Sequence, residues 1–92
     1  MEFLKIISDD SSIEIIPLNQ IFSIRVVMGK LYINGESKHL KVKNSEEFLN
    51  FYADTIAREM AKTFITPSSD TRILCIKNVN GYAKLSINNI NY

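Results

Sequence analysis

Short groups of apolar, mostly β-branched residues alternate with turn-forming residues along the first part of the chain. Such segments fit the pleated backbone of a strand, and Asn, Asp, Gly and Pro between them interrupt it. The dipeptide Asn34-Gly35 is typical of a two-residue hairpin turn. The pattern predicts five short strands, at residues 3–7, 13–16, 21–28, 31–33 and 40–42.

Residues 45–64 change to the 3.6-residue period of an amphipathic helix. Asn44 stands where a helix N-cap is expected, and Glu47 follows three residues later, as in a capping box. The predicted apolar arc comprises Phe48, Leu49, Tyr52, Ala53, Ile56, Ala57, Met60 and Phe64. This arc predicts that one long helix packs on the strands.

After the helix, residues 66–70 form a polar connection whose proline prevents the helix from continuing. The strand pattern then returns at residues 73–77 and 82–87, on either side of Asn80-Gly81. A two-residue turn there pairs Ile76 with Leu85 and leads to a second hairpin.

These elements predict an α+β fold, in which an antiparallel sheet of short hairpins packs on one long amphipathic helix. The chain order is strands, helix, hairpin. An OB-like or other small barrel is the alternative, because such barrels also combine short strands with one helix. At 92 residues, the chain has room for a single domain spanning 1–92.

Composition and charge restrict the function class, the cellular compartment and the source expected for this domain. The formal net charge is +1, so the chain lacks the strong overall field typical of proteins that mainly neutralise nucleic-acid phosphates. The single cysteine, the lack of a secretory pattern and the short apolar runs predict a cytoplasmic protein that does not span a membrane. The many Ile and Asn residues suit an AT-rich genome and hence a bacterial or phage source.

Catalysis by a metal or a nucleophile needs several cooperating side chains, and the sequence offers few. His39 is the only histidine, and Cys75 is the only cysteine. The three glycines each lie in a predicted turn, which leaves none for a phosphate-binding loop. We therefore expect no enzymatic activity, no metal site and no cofactor.

Basic residues are concentrated between residues 21 and 43, which hold five Lys or Arg residues and one Glu. The predicted hairpin places a set of basic and aromatic residues on one sheet face: Lys30, Tyr32, His39, Lys41 and Lys43. Lysines that contact phosphates and aromatic rings that stack on bases are typical of single-stranded nucleic-acid binding. A solvated outer face is the alternative interpretation.

Phe51 lies on the otherwise polar side of the predicted helix, beside Thr55, Arg58 and Lys62. An aromatic group there predicts that something covers it, either another segment of the chain or a second subunit. Small domains with limited cores gain stability by association. Our expectation is a non-catalytic binding module that self-associates or binds another protein. The alternative is a nucleic-acid-binding domain that uses the basic face.

Overall fold

A computed structural model describes residues 2–65 and 71–90, which form an α+β fold with two sheets and one helix. The predicted connection at 66–70 lies outside the described residues. The elements in chain order are β1 (Glu2–Ile7), β2 (Ile13–Pro17), a short 3-10 helix (Leu18–Gln20), β3 (Ile24–Val27), β4 (Lys30–Ile33), β5 (Glu36–Lys41), α1 (Ser45–Ile65), β6 (Thr71–Val79) and β7 (Tyr82–Ile90).

The strands form two sheets rather than the single antiparallel sheet that the sequence predicted. A four-stranded sheet has the order β2-β1-β6-β7, and a three-stranded sheet has the order β3-β4-β5. β1 and β6 run parallel, with Leu4 opposite Leu74, whereas the other pairings are antiparallel. Parallel neighbours need a long crossover connection, and the segment between β1 and β6 supplies it. The barrel alternative is wrong, because neither sheet closes on itself.

Three two-residue turns join the hairpins, at Met28-Gly29, Asn34-Gly35 and Asn80-Gly81. Both residues of each turn have positive φ, between 51° and 95°. Turns of this kind match the right-handed twist of the strands that they connect. The predicted register of the last hairpin is confirmed, with Ile76 opposite Leu85 and Leu74 opposite Ile87.

The third strand begins later than predicted because the side chain of Asn34 holds the preceding backbone in a loop. Asn34 Oδ1 accepts hydrogen bonds from the amides of Phe22, at 3.0 Å, and Ser23, at 3.3 Å. Its Nδ2 donates to the Gln20 carbonyl at 3.0 Å. Residues 18–23 therefore form a 3-10 turn and a loop, although they are rich in apolar residues.

One hydrophobic core lies between the two sheets and the helix. Each sheet contributes one face and α1 contributes Tyr52; the buried members are Leu4, Ile6, Leu31, Ile33, Leu40, Val42, Tyr52, Leu74, Ile76 and Leu85. Burial raises the pKa of the Tyr52 phenol above its ordinary 10.0, so the ring stays neutral in the core. The other face of each sheet is left outside the core.

The helix begins as predicted, and Phe48, Tyr52 and Ile56 of the predicted arc pack on the core, but the buried face is rotated towards Thr55. Asn44 caps it, with Oδ1 accepting from the Glu47 amide at 3.0 Å. Ala53 and Ala57 of the predicted arc are exposed, whereas Thr55 is 1% exposed. Alanines add little apolar area, so the larger side chains on the stripe that contains Tyr52 decide which face packs.

Candidate functional site

The outer face of the three-stranded sheet carries most of the predicted basic set. Lys30 of β4 lies directly opposite Lys41 of β5, and Arg25 of β3 lies opposite Tyr32 of β4. The three cations are exposed, and Tyr32 is half-buried. Arg25 was not among the predicted site residues, because its face depends on how β3 pairs with β4.

The pairing of Lys30 with Lys41 places two like charges side by side, which destabilises a sheet. Among the residues whose side chains the structure describes, neither lysine nor Arg25 forms an ion pair with a carboxylate. A cluster of exposed cations around an aromatic ring attracts anions. This arrangement fits phosphate groups with a base or sugar between them.

His39 leaves the predicted basic face because β5 has a bulge opposite β4. The pairing shifts between Lys30 and Tyr32, and His39 has a φ of 53° within the extra stretch. Its Nε2 lies 3.8 Å from Asp10 Oδ2, and its carbonyl accepts a hydrogen bond from Asp9. His39 therefore joins the turn between β1 and β2, where an acidic side chain faces it.

Asp10 is held in place by its own turn. Ser12 donates hydrogen bonds from its hydroxyl, at 2.6 Å, and from its amide, at 3.1 Å, to Asp10 Oδ1. These hydrogen bonds, with a smaller contribution from His39, lower the pKa of Asp10 below its ordinary 3.8. The carboxylate is thus ionised near neutral pH and faces the imidazole of His39.

Lys38, one of the basic residues between positions 21 and 43, is buried, with a side chain that is only 6% exposed. Its Nζ lies 2.6 Å from Glu14 Oε1 on β2 and 3.5 Å from Glu36 Oε2. This ion pair joins the two sheets across one margin of the core. A lysine is rarely buried without a partner, and no local pattern indicated that Glu14 would be that partner.

Lys43 and Phe51 meet at a different place, an open groove of about 320 Å³ between the start of α1 and β7. Phe51 is 50% exposed and lies on the groove wall. The full lining is Val42, Lys43, Asn44, Glu47, Phe48, Phe51, Ala83, Lys84 and Leu85. The groove is therefore lined mainly by apolar residues, together with two lysines, one glutamate and one asparagine.

The other residues predicted beside Phe51 separate in the structure. Thr55 is buried, and its hydroxyl has no hydrogen-bond partner among the described residues, so it faces the core rather than a partner. Arg58 is exposed. Lys62 belongs to α1, but its side chain lies outside the described part of the chain.

Two further surfaces were not predicted. β7 forms an edge of the four-stranded sheet, with Tyr82 42% and Ile87 44% exposed. On the opposite edge, Ile13 is 62% and Ile15 is 57% exposed. An alternating pattern could have shown that Ile13 and Ile15 share a face, but not that they are exposed.

Cys75 is 4% exposed on β6, whereas His39 lies beside Asp10. No group of three or more potential metal ligands occurs among the residues that the structure describes. In the same part of the chain, no helix has the length and apolar character needed to cross a bilayer. Comparisons with protein-family models, curated proteins and solved structures give no match.

Proposed function

We propose that this chain is a non-catalytic interaction module that self-associates through the side formed by β7 and the first half of α1. The observation that carries the proposal is the open groove in which Phe51 is half exposed beside the unpaired edge of β7. A reducing compartment such as the cytoplasm suits its single, buried cysteine.

The edge of β7 favours pairing with another strand. It contains nine residues and no proline, and its ladder with β6 runs without a register shift from Val79↔Tyr82 to Thr71↔Ile90. Lys84 is its only charged residue. Edge strands that avoid association usually carry several charges, prolines or bulges, and β7 has few of these features.

A second copy is the partner that matches this edge best. The two β7 strands could pair antiparallel, with Ser86 of one copy opposite Ser86 of the other. In this register, Ile87 of one copy would lie opposite Leu85 of the other and extend the apolar inner face of the sheet. Lys84 would lie opposite position 88, an asparagine, so no like charges would meet. Phe51 stands beside this junction and would lose its contact with water.

The substitution Phe51→Glu is expected to weaken self-association at least tenfold, because dimer formation would then bury a carboxylate in an apolar groove. Sedimentation velocity over a series of protein concentrations measures the effect. Asn50→Glu is the matched control, since Asn50 is exposed and does not line the groove.

Ile87→Lys tests the strand edge itself, because an added lysine at an exposed edge position opposes strand pairing. We expect it to shift the chain to monomer, as Phe51→Glu does. The proposal is wrong if the parent chain sediments as a monomer at every concentration, or if the Asn50 control dissociates as readily as the other two variants.

A second candidate function is the binding of single-stranded nucleic acid by the outer face of the three-stranded sheet. The adjacent pair Lys30 and Lys41 favours it, with Arg25 and Tyr32 in the next row. Backbone phosphates would occupy the cation cluster, and a base could stack on the tyrosine.

The double substitution Lys30→Glu and Lys41→Glu is expected to reduce affinity for a fluorescent single-stranded oligonucleotide at least a hundredfold. Two phosphate contacts would be replaced by repulsion, and parent binding should weaken with added salt. Fluorescence anisotropy measures both effects. Lys77→Glu with Lys84→Glu changes the net charge equally on the other sheet, and equal loss in that control would argue against a defined site.

A further inference from the structure

The four-stranded sheet has a second face that points away from the core. Strand alternation places Leu4, Ile6 and their paired neighbours Leu74 and Ile76 inward. The intervening positions of all four strands point outward; with described side chains these are Phe3, Lys5, Ile7, Ile13, Ile15, Pro17, Ile73, Cys75, Lys77, Val79, Tyr82, Lys84 and Ser86. We call this set the outer sheet face.

Most positions of the outer sheet face are apolar, although solvated sheet faces are usually polar. Ile13 and Ile15 on β2 are more than half exposed. Phe3, Ile7 and Ile73 beside them are half-buried. In the described part of the chain, α1 and the three-stranded sheet contribute to the core on the opposite face. A contiguous apolar surface of this kind marks an interaction site.

The charges on the outer sheet face all have one sign. Lys5 lies in the row of Ile15 and Cys75, and Lys77 pairs with Lys84 at the far side. The face carries no Asp or Glu at any position whose side chain is described. A second copy stacked face to face would therefore bring lysines towards lysines without a carboxylate to balance them.

We propose that the outer sheet face binds a segment of a partner protein that presents apolar side chains flanked by Asp or Glu. The isoleucines of β2 supply the apolar contact, and the lysines of β1, β6 and β7 pair with the carboxylates at its margin. Nucleic acid suits this face less well, because phosphates gain nothing from Ile13 and Ile15. Of the residues that line the groove at Phe51, only Lys84 also belongs to this face.

A displayed library of random peptides shows which residue types the outer sheet face prefers in a bound segment. Clones that bind the parent chain are kept, and those that also bind the double variant Ile13→Thr, Ile15→Thr are discarded. Threonine keeps a β-branched residue at both strand positions. We expect the surviving clones to be rich in Leu, Ile or Phe together with Asp or Glu. Val27→Thr, on the outer face of the other sheet, is the matched control.

Synthetic versions of the selected peptides are then titrated by fluorescence anisotropy. The Ile13→Thr, Ile15→Thr variant should bind at least tenfold more weakly than the parent, as should Lys77→Glu with Lys84→Glu. Both variants must keep the parent's circular dichroism spectrum. Binding by the Phe51→Glu variant should equal the parent's, which separates this site from self-association.

Several results would overturn the proposal. One is a selection that yields no peptides dependent on Ile13 and Ile15, and another is a set of peptides without excess acidic residues. Binding to phosphatidylglycerol vesicles that the isoleucine variant loses would assign the face to a membrane surface instead. Dissociation of a dimer by that variant would assign it to a second copy.

Discussion

Replacing Leu74 by alanine is expected to lower the free energy of unfolding by about 3–5 kcal/mol. Leu74 is 0% exposed in β6, between Leu4 of β1 and Ile87 of β7. The loss combines the transfer energy of the removed carbons with the cost of the cavity that remains. Small domains have only about 5–15 kcal/mol of stability, so this variant should lie close to unfolding.

Urea titration followed by circular dichroism checks this result, since the midpoint should fall while the slope of the transition stays constant. Val27→Ala is the matched control. Val27 is 40% exposed on the outer face of the three-stranded sheet, and its truncation should cost less than about 1 kcal/mol. Equal shifts for the two variants would contradict the described position of Leu74 in the core.

The substitution Glu14→Gln is expected to destabilise the fold by about 2 kcal/mol, because it leaves the charge of the buried Lys38 without its nearest carboxylate. Their atoms are 2.6 Å apart, and the side chains are 6% exposed for Lys38 and 48% for Glu14. A fully buried pair would cost more when broken. Partial exposure of Glu14 and the second carboxylate of Glu36 reduce the effect.

Two companion variants make this test specific. Lys38→Met should leave stability nearly unchanged, since a methionine fills similar space and removes the need for a counter-charge. Glu36→Gln removes a more distant carboxylate that is 76% exposed, so it should cost less than about 0.5 kcal/mol. If Glu14→Gln is as mild as Glu36→Gln in urea titrations, Glu14 is not the partner that stabilises Lys38.

Local features of the fold were predictable because local residues determine them. The positive φ angles at Asn34-Gly35 and Asn80-Gly81 follow from the two residues of each turn. The N-cap at Asn44 likewise involves only the first turn of the helix that begins beside it. The last hairpin followed from a turn of known length, which fixes the register. The helix and all seven strands were therefore expected, with displaced ends for several of them.

Features that depend on distant residues were not predictable. The parallel pairing of Leu4 with Leu74 joins segments that no turn connects, so periodicity gave no register for it. The ion pair between Lys38 and Glu14 joins two different sheets, so no local pattern indicated it. The bulge at His39 likewise followed from packing rather than from local pattern. The predicted basic face consequently lost His39 and Lys43 and gained Arg25.

The position of β1 inside the four-stranded sheet has a consequence for biosynthesis. β1 lies between β2 and β6, yet β6 is translated only after the whole helix. While the nascent chain lengthens on the ribosome, Leu4 and Ile6 lack their parallel neighbour and stay accessible to chaperones. Long-range contacts of this type slow folding. The pairing of β1 is thus completed only when the hairpin of β6 and β7 emerges.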